Sequence, residues 1–218
     1  MADTLDISEI FVSIQGEGTR AGLPCVLVRL AGCNLRCRWC DSPYTWDHGT
    51  TMTLDEIVQR VQALRCPLVE LTGGEPLLQE QAPPLLGRLV GLGYQVLLET
   101  NGSMDIGCAD PAVVRIVDIK CPSSGQSHAS RWENIPLLRP TDEVKFVLAD
   151  REDFDYAREV IAEHRLADRC TVLMSPAGGL LPPATLSQWM LEDDRLPRQV
   201  RLNLQLHRII WPDKTRGV

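Results

Sequence analysis

The stretch Val26-Leu27-Val28-Arg29-Leu30, Ala31-Gly32, Cys33-Asn34-Leu35-Arg36-Cys37-Arg38-Trp39-Cys40 joins an apolar run to a loop with three cysteines in eight residues. The apolar run has the pattern of a parallel strand covered on both faces. Ala31-Gly32 is a small-residue hinge, and the cysteines read C-x3-C-x2-C. Three thiolates on one short loop suit an iron–sulfur cube with one iron left without a protein ligand. An open iron is a place for a small molecule to bind and react.

Zinc is the competing occupant. A structural zinc site is closed by four ligands, usually as two pairs of Cys or His. No second pair exists here, because Cys25, Cys66, Cys108, Cys121 and Cys170 stand alone and His48, His128, His164 and His207 are scattered. His48 remains available as a fourth ligand, so a zinc or redox module stays open as an alternative. The isolated cysteines read as buried small hydrophobes. Cys121 is kept apart because it directly follows another candidate motif, Asp118-Ile119-Lys120.

The chain of 218 residues is 44% hydrophobic and 23% charged, enough for a substantial core. Lys and Arg number 22 against 29 Asp and Glu, a net charge of −7 that disfavours a broad nucleic-acid surface. Residues 208–216 are locally basic but too short and mixed for a binding arm. The run Met1-Ala2-Asp3-Thr4-Leu5-Asp6 lacks the features of a signal peptide, and no apolar run approaches a membrane span. The expected compartment is the cytoplasm, where thiols stay reduced and clustered cysteines suggest metal or catalysis. With no linker, low-complexity tract or repeat, one domain over residues 1–218 is expected.

Strands are expected at Ile10–Ile14, Cys25–Leu30, Leu68–Leu71, Gln95–Leu98, Val113–Ile119, Glu143–Leu148, Thr171–Met174 and Val200–Leu206. Helices fit between some of them. Thr53 is an N-cap with a capping-box acid, Glu56, ahead of Ile57, Val61 and Leu64. Pro83-Pro84 opens a second helix that ends at Gly91 or Gly93. A third starts at Asp150 or Asp153 and reaches His164, and Pro182-Pro183 precedes a fourth through Met190. The segment Ser123–Arg139 reads as a loop. Alternation with fewer helices than strand gaps predicts an α/β fold, a shortened and partly open (β/α) barrel.

Ligand groups in such folds gather at the C-terminal strand ends. Three further segments end strands with suggestive residues. Thr72-Gly73-Gly74-Glu75-Pro76 offers backbone that can approach a ligand and a carboxylate for an ammonium group. Glu99-Thr100-Asn101-Gly102 suits the hydroxyls of a sugar. Asp118-Ile119-Lys120-Cys121 places polar groups after an apolar strand. Each alone also reads as an ordinary turn; their repetition at successive strand ends is the signal.

Together, the cysteine motif with Trp39 before its last cysteine and Gly73-Gly74-Glu75-Pro76 resemble the radical S-adenosylmethionine (SAM) superfamily. There, the amino and carboxylate groups of SAM sit on the open iron, and reductive cleavage yields a 5′-deoxyadenosyl radical. Within it, Glu9-Ile10-Phe11-Val12-Ser13-Ile14-Gln15-Gly16-Glu17-Gly18, Arg29, Cys40-Asp41-Ser42-Pro43-Tyr44-Thr45-Trp46, Gln205-Leu206-His207 and Lys214-Thr215-Arg216-Gly217-Val218 resemble the 7-carboxy-7-deazaguanine synthases. The likeness runs from Ile10 to Val218.

The resemblance implies a radical SAM barrel and a carbon–nitrogen lyase. The family contracts the ring of 6-carboxy-5,6,7,8-tetrahydropterin to 7-carboxy-7-deazaguanine with loss of ammonia, on the route to queuosine and related deazapurines. By position, Cys33, Cys37 and Cys40 would hold a 4Fe-4S cluster and Ser42 a Mg2+ ion, which prefers hard oxygen ligands. Ile14, Gln15, Gly16, Glu17, Arg29 and Thr72 would contact the pterin, Arg29 through its planar fork on the carboxylate. Val218 would bring a terminal carboxylate to the pterin, as in some relatives. Trp39, Gly73, Gly74, Glu75, Glu99, Asp118, Ile119, Lys120, Ser175 and Pro176 would surround SAM. Only Lys120 of its trio matches relatives that read Ser-Pro-Lys. The resemblance also implies a homodimer and a reductant such as flavodoxin or ferredoxin; charge and the lack of an apolar span leave neither nucleic acid nor membrane as an expected partner. A second reading within the superfamily is an activating enzyme that installs a glycyl radical on a partner.

Overall fold

Parallel pairing begins at the strand that precedes the cysteine loop. The computed structural model describes residues 3–218; Met1 and Ala2, part of the N-terminal run read above, lie outside it. Its centre is a nine-stranded sheet made of β1 (Thr4–Ile14), β2 (Pro24–Leu30), β3 (Thr50–Thr53), β4 (Leu68–Gly73), β5 (Gln95–Thr100), β6 (Val114–Asp118), β7 (Glu143–Leu148), β8 (Thr171–Pro176) and β9 (Arg201–Leu202). The spatial order is β3-β1-β2-β4-β5-β6-β7-β8-β9. β1 runs antiparallel to β2 and β3, and every pairing from β2 to β9 is parallel.

Among the described residues five α-helices accompany the sheet: α1 (Leu54–Ala63), α2 (Ala82–Gly91), α3 (Arg151–Glu163), α4 (Pro183–Glu192) and α5 (Leu206–Ile210). Their starts follow local chemistry. Thr53 and Glu56 form a reciprocal capping box on α1, and the Asp150 carboxylate accepts from Asp153 N–H at 3.0 Å to cap α3. Prolines occupy the first turns of α2 and α4, where a missing N–H costs nothing. The β5–β6 and β6–β7 connections carry only short 3-10 turns, the second as the Gly, Pro and Ser content of 123–139 predicts. The result is the shortened, open barrel expected, with fewer helices than strands.

Three expectations are corrected. β1 starts at Thr4 instead of Ile10, and β3 was not anticipated because its threonines carry no apolar alternation. The run Val200–Leu206 gives only the short β9 before α5 begins at Leu206. Asn203 explains the break. Its amide oxygen accepts from Gly18 N–H at 2.8 Å and its Nδ2 donates to Ser175 Oγ at 2.8 Å, which ties this segment to the loop after β1.

The sheet has two unlike faces. Val26, Val28, Val69, Leu71, Leu98, Val144, Phe146 and Leu148 join Ile57, Leu85, Leu89, Phe154 and Ile161 of the helices in one buried core. The other face carries Arg29, Glu70, Thr72, Glu99, Asp118, Glu143 and Lys145, with Arg29 opposite Thr72 and Asp118 opposite Lys145 in register. At the end of β4, Gly73 has φ +115°, and a Cβ there would lie 2.4 Å from the Leu30 carbonyl oxygen. A Cβ on Gly74 would lie 2.0 Å from the Gly32 carbonyl oxygen. The glycines are needed for backbone against backbone. Gly74 N–H donates to Leu30 O at 3.0 Å and Glu75 N–H to Gly32 O at 2.8 Å, pinning the hinge of the cysteine loop.

This geometry separates two glycine substitutions. Gly74→Ala is expected to lose about 1–3 kcal/mol or more from overpacking against an immobile carbonyl, and to lower iron content. Gly91→Ala, at the end of α2 with nothing within 4 Å of the new methyl, is expected to be neutral or to gain up to about 1 kcal/mol. Thermal unfolding of both variants checks this, and a native melt for Gly74→Ala would remove the constraint.

Candidate active site

A cavity of about 540 Å3 opens at the C-terminal ends of the parallel strands. Cys33, Cys37 and Cys40 line it, with Trp39 and Ser42 from the same loop. Burial pushes the Cys33 and Cys37 thiols up, with Lys120 opposing, and each also senses the Cys40 thiol. A metal would therefore displace protons on binding. Among the described residues no three His, Cys, Asp or Glu side chains are grouped as ligands of a single ion. A cube does not require that convergence, since each thiolate takes its own iron, and the all-thiol donor set suits iron–sulfur chemistry. His48, the zinc alternative's fourth ligand, is exposed and does not line the cavity.

The loop is stitched to its surroundings. Trp39 Nε1 donates to Ser123 Oγ at 3.1 Å, Arg38 N–H to Ser124 O at 3.1 Å, and Asn101 Nδ2 to Asn34 Oδ1 at 3.0 Å. Lys120 Nζ stands 5.9 Å from the Trp39 ring centroid. Ser42 Oγ donates to Asp41 Oδ1 at 3.0 Å, so a hydroxyl and a carboxylate sit side by side at the rim.

Ile14, Gln15, Gly16, Glu17, Arg29, Thr72 and Val218 line the same cavity. Arg29 Nη2 donates to the Val218 main-chain oxygen at 2.9 Å, and Arg29 Nε lies 3.2 Å from Glu9. Gln15 Nε2 donates to Glu70, and Gln15 Oε1 accepts from Glu17 N–H at 3.2 Å. Lys145 is the hub of the floor: it is 4% exposed, donates to Glu17 at 2.9 Å and to Glu99, and stands 3.8 Å from Asp118. Lys120 donates to Asp118 at 2.8 Å, and Thr72 Oγ1 to Glu99 at 3.0 Å.

These contacts set the protonation states. Burial alone would raise the Glu99 carboxyl, but Lys145 and the Thr72 hydrogen bond win and bring it down to about 2. Burial would lower Lys145, yet Glu17, Glu99 and Asp118 raise it well above its ordinary value. Glu70 goes the other way: burial, then the neighbouring Glu99 charge, push its carboxyl well up.

Gly73, Gly74, Glu99, Asp118, Lys120 and Pro176 also line the cavity. Three expected contacts fall behind its wall. Glu75 is fully buried, and its carboxylate accepts from Thr100 Oγ1 at 2.9 and 3.0 Å, Asn101 N–H at 2.7 Å and Leu77 N–H at 3.0 Å. It is a brace between strand ends, with no place for a ligand's ammonium group. Ile119 turns into the apolar core, and the Ser175 hydroxyl is taken by Asn203. Cys121 is likewise fully buried in the core.

Sequence reasoning missed Glu70, Lys145, Asn203 and the cavity-lining role of His207. A signal existed: Glu70-Leu71-Thr72 and Glu143-Val144-Lys145-Phe146 alternate polar with apolar, the mark of one wet face. His207 has its ring against Gly16, where a Cβ would meet its Nδ1 at 2.5 Å. No helix among the described residues is long and apolar enough to cross a membrane.

Comparison with known proteins agrees with this architecture. The radical SAM superfamily model matches residues 27–117. The chain is 46% identical to the 7-carboxy-7-deazaguanine synthase of Koribacter versatilis, over 98% of this chain and 100% of that protein. It is 47% identical to the enzyme of the same name from Chlorobaculum tepidum, over 98% of this chain and 97% of that one. The crystal structure of QueE from Escherichia coli superposes with a TM-score of 0.77 at 20% identity, covering 93% of this chain and 94% of that one, which is a likeness of fold. Identity at this level along almost the whole length places the chain in the 7-carboxy-7-deazaguanine synthase family of the radical SAM enzymes.

Proposed function

We propose that this chain contracts the ring of 6-carboxy-5,6,7,8-tetrahydropterin to 7-carboxy-7-deazaguanine with loss of ammonia, as one domain spanning residues 1–218. The observation that carries this reading is the meeting, in one cavity, of a three-thiol loop with the Gln15, Arg29 and Thr72 set. Cys33, Cys37 and Cys40 would hold the 4Fe-4S cluster, which with SAM supplies the radical chemistry when bound. Everything else falls to the chain: placing the pterin, balancing its charge and keeping water from the reacting atoms.

The SAM side of the cavity would be Trp39, Gly73, Gly74, Glu99, Asp118, Lys120 and Pro176. Asp118 supports this, because its Oδ1 is buried without a hydrogen-bond partner in the structure. Such an atom is costly unless a donor arrives, and a bound cofactor's hydroxyl or ammonium group is a donor. On the other side Arg29 would take the substrate carboxylate. Its Nε is also buried without a hydrogen bond, although the guanidinium already faces Glu9 and Val218. Ile14, Gln15, Gly16, Glu17 and Thr72 would line the ring. Mg2+ at Ser42 is supported by the adjacent Asp41 carboxylate, a second hard oxygen. A homodimer, and a flavodoxin or ferredoxin as reductant, complete the proposal.

Reconstituted protein with reductant, Mg2+, SAM and the carboxytetrahydropterin is expected to give the deazaguanine product by mass spectrometry. No product from a sample with verified cluster would sink the specific reaction. Ser42→Ala is expected to blunt stimulation by Mg2+ while iron content stays native; equal loss of iron would make Ser42 structural instead. Lys145→Met leaves Glu17, Glu99 and Asp118 facing one another without their shared cation. It is expected to cost about 3–5 kcal/mol in urea titration, and a native midpoint would show that the hub is not a stabilising element.

A further inference from the structure

Glu70 stands in the middle of β4, 3% exposed, yet lines the cavity. It is on the same face as Thr72, one step deeper than the Arg29–Thr72 register pair, and its own register neighbours are Leu27 and Leu97. Oε2 accepts from Gln15 Nε2. Among the described residues Oε1 has no hydrogen-bond partner, and since Glu70 lines the cavity it is the oxygen left for a ligand. No cation lies within ion-pair distance of Glu70 among the described residues. Arg29 contacts Glu9 and Val218, and Lys145 contacts Glu17 and Glu99, without reaching Glu70.

A carboxylate left in that position, buried and without a cation, is far more costly than a carboxylic acid. The ionised Glu99 nearby adds repulsion, and the two carboxyls are pushed in opposite directions, Glu70 up and Glu99 down. Environments that separate two carboxyls in this way divide donor from acceptor roles. With Oε2 accepting from Gln15, the proton of a neutral Glu70 belongs on Oε1, aimed at whatever fills the cavity.

We propose that Glu70 is a specificity-determining residue that, as a carboxylic acid, donates its Oε1–H to an acceptor atom of the bound bicyclic ring, a ring carbonyl or an imine-type nitrogen. The rows of the inner face then divide the ligand between them. Arg29 and Thr72 meet its anionic end, and Glu70 reads a neutral acceptor below. This rests on the proposed reaction, since it takes the pterin as ligand.

The test is anaerobic calorimetry on cluster-loaded protein with SAM and Mg2+ but no reductant, titrated with the carboxytetrahydropterin. Glu70→Gln keeps an uncharged donor and acceptor and is expected to bind within about threefold of native, whereas Glu70→Leu is expected to weaken Kd about ten- to a hundredfold. Native iron content and at most a small fall in melting temperature are expected for Glu70→Leu, because a desolvated carboxyl is removed while Gln15 Nε2 loses its acceptor. If Glu70→Gln loses as much as Glu70→Leu, an ionised carboxylate is required and the proposal is overturned. The same pair in a Gln15→Ala background separates contact from positioning: Glu70→Leu is expected to weaken binding again there, and no further loss would mean that Glu70 acts only through Gln15. Failure of the native protein to bind the pterin overturns the reaction itself, and this proposal with it.

Discussion

The approach of Gly74 to the Gly32 carbonyl, closer than any side chain would allow, is the contact on which the site depends. It fixes the end of β4 against the hinge that leads into the cysteine loop, so the cavity wall at the end of β4 and the thiols are positioned by one backbone junction. Glu75 extends that junction. Buried and bound by Thr100 and by the Asn101 and Leu77 amides, it ties the end of β4 to the end of β5. Asn101 then reaches back to Asn34 in the cysteine loop. The rim is thus a closed circuit of hydrogen bonds, and a polar network satisfied on all sides is rigid. An open-iron cofactor needs such rigidity, because the vacant position must face a fixed wall.

A second constraint is the division of the sheet into a dry face and a wet one. An open barrel has two free edges, and its charged interior would be exposed through the gap. The loop after β1 covers this side. Thr19 N–H donates to Glu143 at 3.1 and 3.2 Å, Gly18 N–H to Asn203, and Leu206 N–H to Gly16 O at 3.0 Å. The segment Gln15–Thr19 therefore serves two ends at once. It contributes cavity wall, and it ties the first strand's exit to β7 and to the residues that follow β9.

How much of this was legible from the sequence depended on range. Helix starts were readable because Thr53, Asp150 and the proline pairs act within one turn of their own position. The cysteine loop was readable because its ligands are adjacent in the chain. Glu75 shows the limit of local reading: a carboxylate after Gly-Gly looks free, and only Thr100 and Asn101, one strand away, reveal where its side chain is bound. Lys145 was invisible for the same reason, since its meaning lies in three carboxylates from three other segments. Asn203 broke an expected strand through partners at Gly18 and Ser175, which no local pattern announces. Glu70 and Lys145 did leave a trace in polar–apolar alternation, obscured by reading parallel strands as buried on both faces.

Charge arithmetic links these missed residues to the chemistry proposed for the site. Around the floor the cations are Arg29, Lys120 and Lys145, and they contact Glu9, Glu17, Glu99 and Asp118. Carboxylates already outnumber cations before Glu70 is counted, which is a further reason for Glu70 to stay neutral. A substrate carboxylate entering beside Arg29 adds one more negative charge, in a space whose walls screen it poorly. Arg29 cannot absorb it alone while it also faces Glu9. A divalent cation at the rim, held by the Ser42 hydroxyl and the Asp41 carboxylate, would supply the missing positive charge without burying another lysine. On this view the hard-oxygen pair at the rim and the neutral acid on the floor are two responses to a single excess of negative charge.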